Sequence, residues 1–335
     1  MSALFFAFAL SISGTQAQDL GMDIPPEITD GVKIETRSRL YNQAYLEMAD
    51  MLDGKREISI KRAVFLLEWA YLDGNLDYEE FCHQIEEVAT YLQAFIAINH
   101  LDQYKTGKNF ALFDYFSQPC SGNEGTPFSY DFEDFSGSED YTKLFVSKVM
   151  RTHTGQCRSL PMYYKILAEA ISAEAYIALA PQHYFIRHRD ETNPAKWVNV
   201  ELTGPSLSRE IFIIEQFGIT DLAIRNKVYM YPLTDKETVA LLMSELWHGY
   251  TKKFNGAFDD LMWLCATKSL EYYPQNITAL SLKANIINQL LMDHLASNGN
   301  VMDDYARMID ARWYSISDRI NELDGLKWTM QLTSG

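Results

Sequence analysis

A chain of 335 residues, 47% hydrophobic and 13% aromatic, is long enough for two domains with a sizeable core and argues against disorder. A formal charge of −16 argues against a nucleic-acid partner, because neutralising phosphates takes clusters of Lys and Arg that are missing here. The same acidity keeps the chain off anionic surfaces but identifies no substrate.

Taken in chain order, residues 1–17 stand apart. Ala3 to Ile12 is apolar except for Ser11, and Thr15-Gln16-Ala17 fits small-residue cleavage before Gln18. The run is too short to span a bilayer. It reads as a secretory signal peptide without the usual basic start, with a buried N-terminal helix as the alternative. The expectation is therefore an exported protein, periplasmic or secreted, with no membrane span after signal cleavage. No Cys follows the cleavage site to carry a lipid. The four cysteines, Cys82, Cys120, Cys157 and Cys265, permit two disulfides in an oxidising compartment, yet they are sparse for this length. Cys82 and Cys265 read as helix core residues and Cys120 as a loop residue.

Gln18 to Thr36 is irregular, broken by Pro25-Pro26 and Gly31. From Ser38 to Leu101 the pattern is helical. The first helix has Leu40, Ala44, Leu46, Met48 and Met51 as its apolar face, and the second runs from Ser59 to Leu72. The third opens on an Asp77/Glu80 capping box and reaches His100. Residues 18–116 thus form an N-terminal helical region, a platform for the rest. Ser117 to Thr142 is a long loop rich in Gly, Ser, Pro and acids. Its Asp131, Glu133, Asp134, Glu139 and Asp140 have the wrong spacing for a calcium loop. Phe132, Phe135 and Tyr141 are unusual in a solvent-facing loop and suggest a segment packed across a cleft. A helix over Asp140 to Val149 follows.

The stretch from Thr152 to Thr203 carries the chemistry. A turn at Thr154-Gly155 precedes Cys157, and Pro161 is tolerated only in a helix's first turn, so a helix is expected from about Cys157 to Ser172. Tyr163, Ile166, Leu167 and Ala170 should face inward. The helix dipole at Cys157 would favour the thiolate. Three strands follow, Ala175–Ala180, His183–His188 and Lys196–Leu202. Alternation groups His183 with Phe185 and Arg187, and Trp197 with Asn199 and Glu201. A thiol at a helix start, an imidazole on one strand and a polar group on the next is the layout of a Cys–His–acid nucleophile system.

These residues resemble the transglutaminase-like domain of the papain-like superfamily: Gly-x-Cys before a helix, a His opening a strand 26 residues on, and an aromatic strand ending in Glu201-Leu202-Thr203. The resemblance implies an α+β fold with a papain-like core, in which the Cys-bearing helix packs on a small antiparallel sheet. It implies Cys157 as nucleophile, His183 as general base and Glu201 as the orienting acid. It also implies a peptide or protein substrate and no cofactor. Where the family has Asp-Pro, this chain has Glu201-Leu202, so Asn199 on the same face is a rival for the third role. His153 is a weaker rival for His183, since it precedes the helix instead of facing it from a strand. Zinc held by Cys157, His153 and His183 lacks ligands paired at short metal spacing. Residues 117–233 are the expected catalytic core.

Beyond Gly204-Pro205 comes a mixed stretch, and from Thr234 the chain is helical. Ser269-Leu270, Pro274, Asn276, Ala279 and Ala284 resemble the junction between tetratricopeptide helices, with further helices at Asn276–Leu295 and Val301–Leu323. Residues 234–335 would cap the catalytic core or dock a protein partner. Asn276-Ile277-Thr278 also matches a glycosylation acceptor, a motif common by chance. Together these features lead to cysteine-dependent acyl transfer on amides, as peptidase, amidase or transglutaminase. The alternative is an inactive relative that binds another protein.

Overall fold

A computed structural model describes residues 39–254 and 260–323. The expected signal peptide and the irregular stretch to Thr36 lie outside the described residues. The fold is α+β, with many helices and two small sheets. The chain divides into two units: one takes residues 57–239, the other the segments before and after them.

The outer segments begin with α1 (Arg39–Leu52), which buries Tyr41, Ala44, Met48, Met51 and Leu52 along one stripe. Leu46, expected inward, is 61% exposed, because two residues from Ala44 and two from Met48 put it on the far side of the helix. The helical region expected at 18–116 is shared between the units, α1 belonging with the C-terminal helices.

In the other unit α2 (Ile60–Tyr71) starts on Ser59, whose hydroxyl accepts from Arg62 N at 3.1 Å. Next, α3 (Tyr78–Ile98) starts on Asp77, whose carboxylate accepts from Glu80 N at 2.8 Å. After α4 (Gly107–Ser117) and β1 (Ser129–Tyr130), a short 3₁₀ turn leads into α5 (Val146–Thr152). Its first two amides are held by a distant side chain: Glu68 accepts from Val146 N at 2.6 Å and from Ser147 N at 3.1 Å. The strand β2 (Thr154–Gly155) pairs in parallel with β1, and α6 (Ser159–Ala170) follows.

The centre of this unit is α6. Every residue from Ser159 to Ala168 is buried, Lys165 among them through its ion pair with Asp235 at 2.7 Å. It packs against α2, α3, α4 and α5, and against the sheet formed by β3 (Tyr176–Ala180), β4 (His183–Arg189), β5 (Trp197–Glu201) and β6 (Ser206–Ser208). Ala170, at its last position, is exposed instead of inward. The sheet is antiparallel throughout in the order β3-β4-β5-β6. The outer edge of β3 is covered by later chain, with Met230 N donating to Leu179 O at 2.9 Å and Leu233 N to Ile177 O at 2.8 Å. That later chain carries α7 (Glu210–Phe217) and α8 (Asp221–Arg225).

The helix α9 (Asp235–Lys253) leads into the remaining elements, α10 (Asp260–Tyr272), α11 (Ile277–Ser297) and α12 (Asp304–Glu322). They stack in sequence, and α1 packs on α10. Asn276 caps α11 and is 2% exposed; its amide nitrogen donates to Ser244 Oγ at 2.9 Å and Ser269 Oγ at 2.8 Å. It is a buried joint between helices and offers no accessible glycosylation nitrogen. No described helix is long and apolar enough to cross a membrane.

Candidate active site

Cys157 sits in the turn between β2 and α6, two residues ahead of the helix and not within it. The reason is local. Thr154 and Gly155 are drawn into pairing with Ser129 and Tyr130, so Gln156 to Arg158 become the connection. Gly155 admits no side chain: a Cβ there would lie 2.6 Å from Val149 Cγ2 and 3.0 Å from Leu160 Cγ. Gln156 N donates to Ser159 Oγ at 2.9 Å, and Leu160 N to Gln156 O at 3.1 Å, so the turn runs directly into the helix. The Gln156 side chain is buried and donates to Asp131 O at 2.8 Å, which pins the turn from its other side.

All four cysteines are unbridged, so the Cys157 thiol is available. It donates to Gln182 O, 3.7 Å away, in the tight connection from β3 to β4. Gln182 takes a left-handed conformation there, with φ of 56°. Cys265 lies in the core as expected, whereas Cys82, also read as a core residue, is only half-buried.

His183 opens β4 immediately after that connection. The register Arg187↔Asn199 puts His183, Phe185 and Arg187 on one sheet face with Asn199 and Glu201. Glu201 Oε2 lies 2.6 Å from His183 Nε2. Cys157 is the other side chain that acts on this ring. The other Glu201 oxygen accepts from Thr203 N at 2.8 Å and Thr203 Oγ1 at 2.7 Å, so Thr203 fixes the carboxylate that fixes the ring. Asn199, the rival for this place, spends its amide on Ser208 O at 3.0 Å. The three predicted residues come together, and Glu201 is the one behind the ring.

Opposing influences set the ring's charge. Burial alone pushes the His183 pKa down. The hydrogen bonds that the ring makes to Cys157 and Glu201, with the electrostatic pull of those two groups, outweigh burial and bring it up to about 9. Burial likewise pushes Glu201 up, but its bond to His183, the charge of that ring and the Thr203 donors hold it below the usual carboxylate range.

One participant was not legible in the sequence. Phe217, the last residue of α7, stacks on the His183 ring at 4.8 Å with 20° between planes. A sequence signal existed: Gly218, left-handed at φ 58°, ends an apolar run as helix-terminating glycines do. Arg187 anchors the start of that helix through Glu210 at 2.6 Å, while its other guanidinium nitrogen bonds Met230 O.

The remaining candidates lie elsewhere. His153 caps α5 in a left-handed conformation and packs its ring on Phe128 at 4.7 Å. His188 faces away from His183, buried, with Nδ1 bonded to Arg189 O at 2.8 Å. Among the described residues no group of His, Cys, Asp and Glu is arranged to hold a metal ion. The loop acids serve the chain itself. Asp131 pairs with Lys148 at 2.7 Å, and Asp134 accepts from the backbone of Ser138, Glu139 and Asp140. Tyr141 is buried against Tyr71 and Phe145, but Phe132 and Phe135 are 84% and 65% exposed instead of packed. Compared with protein-family models, curated proteins and solved structures, the chain matches none.

Proposed function

We propose that this protein performs cysteine-dependent acyl transfer on amide bonds, from a transglutaminase-like, papain-like core. The observation that carries the reading is the His183 ring, with Glu201 Oε2 2.6 Å from its Nε2, beside a Cys157 thiol that donates 3.7 Å to the carbonyl of Gln182, the residue before His183. The Cys157–His183 pair shares one proton, carried on His183, and the sulfur attacks the amide carbonyl carbon. The carbonyl π pair moves to oxygen, then returns as the C–N bond breaks, and His183 gives its proton to the departing amine. A ring held at about 9 keeps that proton until the amine claims it. The thioester left on Cys157 is released by water in a peptidase or amidase, or by a second amine in a transferase. Hydrolysis is the reading adopted, because no residue in the site marks a place for an acceptor amine. A peptide or protein is the proposed substrate.

The test is iodoacetamide labelling at neutral pH with the labelled sites mapped by mass spectrometry. Cys157 should alkylate faster than half-buried Cys82, and His183→Ala should abolish the difference. Labelling of Cys157 no faster than Cys82 in the wild type would refute the dyad and favour an inactive, protein-binding relative.

A further inference from the structure

Acyl transfer needs two donors for the oxygen that becomes negative, and the Cys157 backbone amide supplies one. The pairing of β1 with β2 points to the other. Tyr130 is in register with Gly155, two residues before the nucleophile. That placement is held on both flanks. Ser129 N donates to His153 O at 2.9 Å and Asp131 N to Gly155 O at 2.9 Å. Lys148 ties Asp131 to Thr154 at 2.7 Å each. The exposed Phe132 ring meets the Tyr130 ring edge-on at 5.0 Å, with 76° between planes.

The Tyr130 side chain is half-buried, and among the described residues no group holds its hydroxyl. Burial, and next the neighbouring Cys157, push its pKa up, so the phenol keeps its proton at neutral pH. Three neighbouring polar side chains are committed elsewhere. The Gln156 amide donates to Asp131 O, Ser159 Oγ receives Gln156 N, and His153 packs on Phe128.

We infer that the Tyr130 hydroxyl is the second oxyanion donor of this site, acting with the Cys157 amide on the acyl oxygen. This rests on the cysteine acyl-transfer reading. The sulfur adds to the carbonyl carbon, the π pair passes to oxygen, and Tyr130 donates a hydrogen bond to it without losing its proton. Collapse of the adduct expels the leaving group and frees the hydroxyl.

Two probes separate this role from others. Acylation of Cys157 by p-nitrophenyl acetate passes through an oxyanion and releases p-nitrophenolate, read at its absorbance. Alkylation by iodoacetamide displaces iodide at a saturated carbon and forms no oxyanion. Tyr130→Phe should slow acylation on the order of 10²-fold while alkylation keeps its wild-type rate. Wild-type acylation in Tyr130→Phe overturns the assignment. So does a parallel fall in both reactions, which would place Tyr130 on the sulfur. A loss confined to Gln182→Ala would move the role to that side chain. Failure of the underlying reading is seen separately, as wild-type alkylation of Cys157 that ignores His183→Ala.

Discussion

Replacing Glu201 by Gln keeps the shape behind His183 and removes the charge. The rise of the ring from 6.5 to about 9 corresponds to roughly 3 kcal/mol of preference for its protonated form, shared between Cys157 and Glu201 and already net of burial. With the carboxylate at 2.6 Å neutralised, the burial that opposes protonation is less compensated. The His183 titration should fall by about one to two pH units. Carbon-detected NMR of the labelled imidazole follows the ring directly. The stability consequence has a definite sign. A histidine raised in the folded state contributes stability that is fully present below its unfolded value of 6.5 and is lost as pH rises through about 9. Glu201→Gln should therefore lower the melting temperature at pH 6 more than at pH 10. The reasoning fails if the mutant ring titrates where the wild type does, or if Asn199→Ala moves it instead.

Two further variants test the supports of the site. Phe217→Ala removes the face stacked on His183, so the ring should gain water and titrate higher, and Cys157 alkylation should slow by an amount worth roughly 0.5–1.5 kcal/mol. Unchanged values of both would make Phe217 a bystander. Glu68→Ala leaves the Val146 and Ser147 amides buried without their acceptor, at a cost of roughly 2–4 kcal/mol in a denaturant melt. Burial brings Glu68 up to about 7 from 4.5 despite those bonds, so its contribution is greatest below 4.5 and declines as pH rises through 7. The wild type should therefore lose more stability than Glu68→Ala between pH 5 and pH 8, and equal pH dependence would sink the argument.

Much of the site was legible because strand alternation is a local property. The period of two places His183 with Arg187, and Asn199 with Glu201, from sequence alone. Alternation could not choose between Asn199 and Glu201, because which of them meets the ring depends on how β4 and β5 are offset, set by the hairpin between them. The start of α6 was misplaced by two residues because β1, a two-residue strand far back in the chain, captures Thr154 and Gly155. Tyr130 and Glu68 were invisible for the same reason: each meets its partner across a sequence separation that no short pattern encodes. The helices α2 and α3 were readable to within two residues at either end because Ser59 and Asp77 cap them through their own side chains. The pairing of α1 with α10 is decided by tertiary packing and could not be read, whereas the outward Leu46 was a misreading of the helix period itself.

In a secretory host the Asn276 joint would order events during biogenesis. Its amide nitrogen cannot carry a sugar and also lie sealed between the hydroxyls of Ser244 and Ser269. Glycan attachment and closure of the α9–α10–α11 stack therefore compete for one atom, and whichever comes first forbids the other. In a secretory host that modifies such sequons, the fraction of chains bearing sugar at Asn276 would count the molecules that failed to close this stack in time.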